Sequence, residues 1–215
     1  MTGAALPRHP ASFGPQLAAL PVAAAAWAGL GLEFARLDAS RHAAAPTLWA
    51  MLRYFTITTN LAVAIAFTAL ACGLRPGAMP RWLAGLSLST LLVGVVFRLL
   101  LEGLFIHGLG LATVLMHRVT PVAVPLYWLA FVPKGRLGLV DPPLWLLYPL
   151  AYLAYALTRG SVEGRYPYPF LDVAAIGPAR VGINALAIGV GFLGTGFVSV
   201  WIDRMLGRRN REPSA

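Results

Sequence analysis

The chain has almost no cysteine, little charge and few histidines, and each scarcity removes a class of protein. Its 215 residues include one cysteine, Cys72, so no disulfide can close within the chain and no Cys/His metal pattern exists. There are four histidines. Only His117 falls inside an apolar run, and a metal needs two or more converging ligands, so no metal centre is expected. His107 reads as a loop residue beside glycines. A glycine-rich phosphate loop, a dinucleotide fingerprint and a nucleophile-elbow motif are all missing, so no cofactor is expected. Charged residues make up 12% of the chain, against about 25% in soluble domains. The two-residue alternation of a barrel wall is missing too.

What remains is apolar sequence, 58% of the chain. Six long runs stand out, at 17–37, 48–72, 82–105, 111–132, 142–158 and 179–202. At about 20 residues per crossing they nearly exhaust the chain. The expected fold is all-α: an integral membrane bundle of six transmembrane helices in one domain, 1–215, ending in a basic cytoplasmic tail, 203–215. The polar segment 1–15 precedes an alanine-rich run that offers a cleavage site for a signal peptide. Losing that run would leave an odd number of crossings, so it is read as the first span. Composition rich in Ala, Leu, Arg and Gly fits a GC-rich bacterial genome, and hence the inner membrane.

The net charge of +9 is not a nucleic-acid footprint. Lys and Arg are scattered over loops and helix ends, with no basic stripe interleaved with aromatics. Such charge encodes topology. With both termini in the cytoplasm, nine Lys and Arg residues fall on the cytoplasmic side and four (Arg36, Arg41, Arg159, Arg165) on the other. N-in and C-in is therefore the expected orientation. It gathers Glu33, Arg53, Thr56, Arg98, Glu102, His117, Arg118, Arg180 and Asn184 into one leaflet. Polar groups are costly inside a bilayer, so their segregation points to an outward-facing polar chamber.

Particular residues give this chamber its chemistry. In RYFTITTN, 53–60, a continuous helix would place Arg53, Thr56 and Asn60 on one face. Arg98 and Glu102 stand four apart, a spacing that allows an ion pair. Glu33 either pairs with Arg53 or snorkels, and Arg118 reaches the headgroups. Pro121 removes the partner of the His117 carbonyl and bends the fourth span there. GRYPYPFLD, 164–172, reads as a rigid extended segment that could cap the chamber. The glycines of the sixth run read as packing contacts. A hydroxyl beside an imidazole can perform acyl transfer if a cation or backbone N–H holds the oxyanion, and Arg53 is a candidate donor.

Three stretches carry a resemblance: YFTITTN, LMHRVTP followed by PLYWL, and YPYPFLD followed by GPARV. In this order they resemble the androgen-induced membrane protein family and its bacterial six-span relatives. The animal members are multi-pass threonine hydrolases that cleave fatty acid esters of hydroxy fatty acids. The resemblance implies Thr56, after Tyr54-Phe55, as nucleophile and His117, after Met116, as general acid and base. Where animal members carry a further histidine one turn earlier, this chain has Thr113. The expected function is intramembrane lipid-ester hydrolysis, with Arg53, Asn60, Arg98, Glu102 and Arg180 as substrate-binding or oxyanion residues. The partner is then a membrane lipid or fatty acid ester. The rival reading is a non-catalytic lipid-binding or transport protein using the same chamber.

Overall fold

A computed structural model describes residues 13–104 and 109–209. His107 and the terminal segments, including residues 210–215 of the basic tail, lie outside the described residues. Among these residues the fold is all helical. In order it has α1 (Gly14–Arg41), α2 (Ala44–Met51), α3 (Phe55–Ala71) and α4 (Pro80–Val96). Then come α5 (Leu111–Val114), α6 (Thr120–Phe131), α7 (Asp141–Glu163), α8 (Val173–Ile176) and α9 (Pro178–Arg209). Prolines open α1 and α4 in the first turn, where a missing N–H costs nothing. Gly164 closes α7 in the left-handed region, φ 65°.

Four helical stretches are long and apolar enough to cross a membrane: Gly14–Ser40, Pro80–Leu104, Leu111–Phe131 and Pro178–Arg208. Ala44–Met51 and Phe55–Ala71 pass the same test as a pair but are bent by 102° at the break between them. This pattern is compatible with a multi-pass membrane protein. α7 has the length, 23 residues, but its tyrosines and prolines keep its hydropathy below that of the others.

The second run is thus not one straight helix. Tyr54 takes an extended conformation, φ −99° and ψ 132°, and α3 begins only at Phe55. The shared face expected for Arg53, Thr56 and Asn60 does not exist, because Arg53 precedes the break. The third run continues past α4 through a π turn, Phe97–Leu101, and the fourth joins α5 to α6 through another, Leu115–Val119. α9 absorbs the first residues of the stretch read as a tail. Asp203 there is 1% exposed and accepts from the Leu137 N–H at 2.9 Å.

The main core lies among α1, α3, α4 and α6, around Phe67, Val63, Leu70 and Val124. In lipid, helix association rests on close fit rather than on water exclusion. Glycines supply that fit. A Cβ at Gly29 would sit 2.7 Å from Met116 Cγ, and one at Gly94 would sit 2.8 Å from Pro121 Cβ and 3.5 Å from the His117 carbonyl oxygen. The sixth run departs from its packing reading. Gly196 packs on Pro142 and Leu88, but Gly182, Gly189, Gly191 and Gly194 meet nothing within 4 Å. A smaller cluster joins α7, α9 and the 164–172 segment through Ala156, Leu171 and Val181.

Candidate functional site

Helix α3 starts partway along an apolar run, and its second residue is Thr56, 7% exposed. Thr56 Oγ1 lies 3.2 Å from His117 Nε2. The other ring nitrogen, Nδ1, is 3.0 Å from the Thr113 carbonyl oxygen. A carbonyl can only accept, so Nδ1 carries a proton. In the neutral ring Nε2 is then a lone-pair acceptor, and the Thr56 hydroxyl donates to it. Phe97 packs on the imidazole with ring centroids 4.2 Å apart. The ring is therefore oriented by a hydrogen bond at one edge and an aromatic plane at its face.

The π turn makes this arrangement possible. The Thr120 N–H bonds back to Leu115, so the Met116 carbonyl loses its usual helical partner. Asn60 and Thr120 take it up. Asn60 Nδ2 donates to the Thr56 carbonyl at 2.9 Å and to the Met116 carbonyl at 3.4 Å, and Asn60 Oδ1 accepts from Thr120 Oγ1 at 2.8 Å. Thr120 Oγ1 is also 3.2 Å from the Met116 carbonyl. Asn60 is thus a strut that ties the start of α3 to the histidine's turn. It is 1% exposed and lines neither of the two cavities beside the pair.

Two cavities meet at the pair. The narrower, about 90 Å³, runs between α4, α7 and α9 past Leu92, Val96, Leu150, Leu153 and Phe192. The wider, about 520 Å³, opens toward Glu33 and Arg36 and is walled by Tyr54, Leu104 and Thr113. Thr56, His117, Tyr168 and Leu101 line both.

Tyr168 belongs to the YPYPFLD segment, whose residues from Pro167 to Leu171 line one or both cavities. Tyr168 itself lines both beside Thr56 and His117, close enough to Thr56, Phe55 and Tyr152 for its phenol to feel them electrostatically. Phe55 and Thr56 open α3, where backbone N–H groups have no carbonyl of a preceding turn to reach. Burial pushes the Tyr168 phenol up, so it stays protonated. Its ring stacks on Phe170 at 5.1 Å and meets Tyr54 edge-on at 5.9 Å.

The remaining sequence candidates lie outside the pair. Arg53 forms an ion pair with Glu163 and donates to the Arg165 carbonyl at 3.2 Å. Glu163 also takes Arg159 Nε at 2.8 Å and Trp49 Nε1 at 3.0 Å, so these residues clamp the break before α3. Glu33 pairs with Arg36 at 2.6 Å, not with Arg53. Glu102 is shared by Arg98, at 3.2 Å, and Arg118, so Arg118 is held by a carboxylate. Arg180 is exposed on the first turn of α9 and lines neither cavity. Of the three threonines, Thr58 and Thr59 bond the Tyr148 hydroxyl, at 2.9 and 3.0 Å. Phe97 and Tyr168 were not singled out from the sequence, and Thr113 was noted only as standing where animal members of the resembled family carry a further histidine. Of the first two, only Tyr168 left a trace there, as one of the aromatics alternating with prolines in 164–172.

No group of three or more His, Cys, Asp or Glu able to hold a metal occurs among the described residues. Comparison with family models, curated proteins and solved structures returns no match for this chain.

Proposed function

We propose that the protein is an intramembrane carboxylic-ester hydrolase acting on lipid esters, with Thr56 as nucleophile and His117 as general base and acid. The carrying observation is the 3.2 Å approach of Thr56 Oγ1 to a His117 Nε2 whose acceptor role is fixed by the bond at Nδ1. This is the hydroxyl–base–orienter logic of acyl transfer, with a backbone carbonyl as orienter.

His117 takes the threonine proton as Oγ1 bonds to the ester carbon, and the carbonyl π pair moves onto oxygen. Collapse of that oxyanion breaks the bond to the alcohol oxygen, which leaves with the proton from His117. Water then attacks the acyl-threonine and gives one proton to His117. The second collapse releases the acid, and Thr56 recovers its proton. Ester and water become acid and alcohol. The narrow apolar cavity suits an acyl chain, and the wider one suits the alcohol portion. A groove of about 380 Å³ between α4 and α9 shares Leu92, Val96, Ile188 and Phe192 with the narrow cavity. It offers an acyl chain a route from lipid, floored by Gly191.

In this reading the bundle has six crossings, α7 among them. Leu144, Leu147 and Leu150, all exposed on α7, support its lying against lipid. Both termini are cytoplasmic, the membrane is a bacterial inner membrane, and the chain is a relative of the threonine hydrolases it resembles. A fluorophosphonate probe should label the purified protein at Thr56, and Thr56→Ala should abolish labelling. Persistent labelling of that variant would remove Thr56 as nucleophile. The lateral groove also suits a lipid-binding or transport protein. That alternative predicts flux in liposomes that survives both Thr56→Ala and His117→Ala.

A further inference from the structure

The hydrolase reading leaves the oxyanion without a donor, since Arg53 is engaged by Glu163 and Arg165. We infer that Tyr168 is a further catalytic residue, its phenol O–H joining the backbone N–H groups of Phe55 and Thr56 to hold the oxyanion. The inference rests on the ester-hydrolase reading.

The Thr56 proton is committed to His117 Nε2, so Thr56 Oγ1 has only lone pairs to offer the two cavities that Tyr168 lines with it. The Tyr152 proton is committed to the Arg53 carbonyl at 2.7 Å. That leaves the Tyr168 phenol as the side-chain hydroxyl lining both cavities that can donate to the reacting oxygen. When Oγ1 bonds to carbon, the negative charge appears on an oxygen attached to that same carbon. Tyr168 lines the space in which that oxygen forms. The ring is held for this by Phe170 and Tyr54, and it sits where both cavities join. No bond to Tyr168 forms or breaks. It keeps its proton throughout and stabilises charge.

Tyr168→Phe removes the hydroxyl and leaves the ring contacts. The probes are p-nitrophenyl octanoate for turnover and octyl p-nitrophenyl ether, which has no carbonyl, for binding. Loss of one oxyanion donor should lower kcat by about 10²–10³-fold, with KM nearly unchanged. The fluorophosphonate labelling rate should fall with kcat, since negative charge builds on its phosphoryl oxygen at the same place during attack, while ether binding and thermal stability stay at the wild-type level. Wild-type-like kcat in this variant would overturn the inference and leave the hydrolase reading standing. A loss shared by ether binding or stability would reduce Tyr168 to a structural cap. Failure of the hydrolase reading looks different: the Thr56→Ala variant would then turn over as fast as the wild type, and both proposals would fall.

Discussion

Asp203 and Thr56 are buried polar residues near opposite ends of the bundle, and they are held in different ways. Around Asp203 the contacts close on themselves. Its carboxylate takes the Leu137 N–H, its own carbonyl takes the Gly135 N–H at 3.1 Å, and Gly207 lies so near Gly135 that a Cβ would come within 2.6 Å of it. Nearby, Asp141 receives the Gly138 N–H at 2.6 Å and faces Arg81 at 3.6 Å. Lys134 donates to the Trp128 carbonyl in the last turn of α6 and to the Val132 carbonyl just beyond it. This end spends its polar groups on locking the 133–140 loop to α9. At the Thr56 end the hydroxyl and imidazole also find partners, but they border empty volume on two sides. Buried polarity marks a site only where it faces space that a reactant can fill.

The sharpest way to break this contrast is His117→Gln. Losing the base should cost roughly 10²–10⁴-fold in ester turnover, with a melting temperature in detergent close to wild type. An equal fall in stability would make the histidine a structural group like Asp203. Asn60→Ala should act on both quantities. It strips the strut between α3 and the π turn, costing about 1–3 kcal/mol for buried groups left unpaired, and turnover should fall as His117 loosens. Asp203→Ala should cost stability of the same order, about 1–3 kcal/mol, and leave turnover unchanged. Denaturation and initial-rate measurements on one preparation separate the two.

The smallest effect concerns Lys134. Burial lowers its ammonium from the ordinary 10.5 to about 8. Between those values the unfolded chain holds more protons than the folded one, so stability should rise modestly as pH climbs from about 8 to 10.5. Lys134→Met should flatten that slope, as seen in melting curves taken across the range.

The sequence made the helical class legible because long apolar runs leave few alternatives. It also gathered Glu33, Arg53, Thr56, Glu102 and His117 toward one end, since polar groups in such runs are costly anywhere. Local departures were not legible. The break before Phe55 depends on Glu163, more than a hundred residues away, gripping Arg53. The π turns leave no mark in residue types that a straight helix would not also accept. Pro121 did announce a disturbance at His117, but the freed group that mattered was the Met116 carbonyl, and Asn60 answered it. Asn60 was expected near substrate and is instead a brace, a role that only the facing turn reveals. Arg180 was grouped with the chamber by depth alone, and its azimuth on α9 turns it outward.

The wide turn at Leu115–Val119 has a consequence for how this chain can vary. It holds one residue more than an ordinary helical turn would, so a single-residue deletion there could be absorbed by regular helix. The segments on either side would keep their facing, and the residues inside the turn, His117 among them, would change direction about the axis. The bundle could survive such a loss while the imidazole was dialled out of register with its alcohol. Natural sequences that lack this extra residue should be sorted as silent scaffolds before their chemistry is sought.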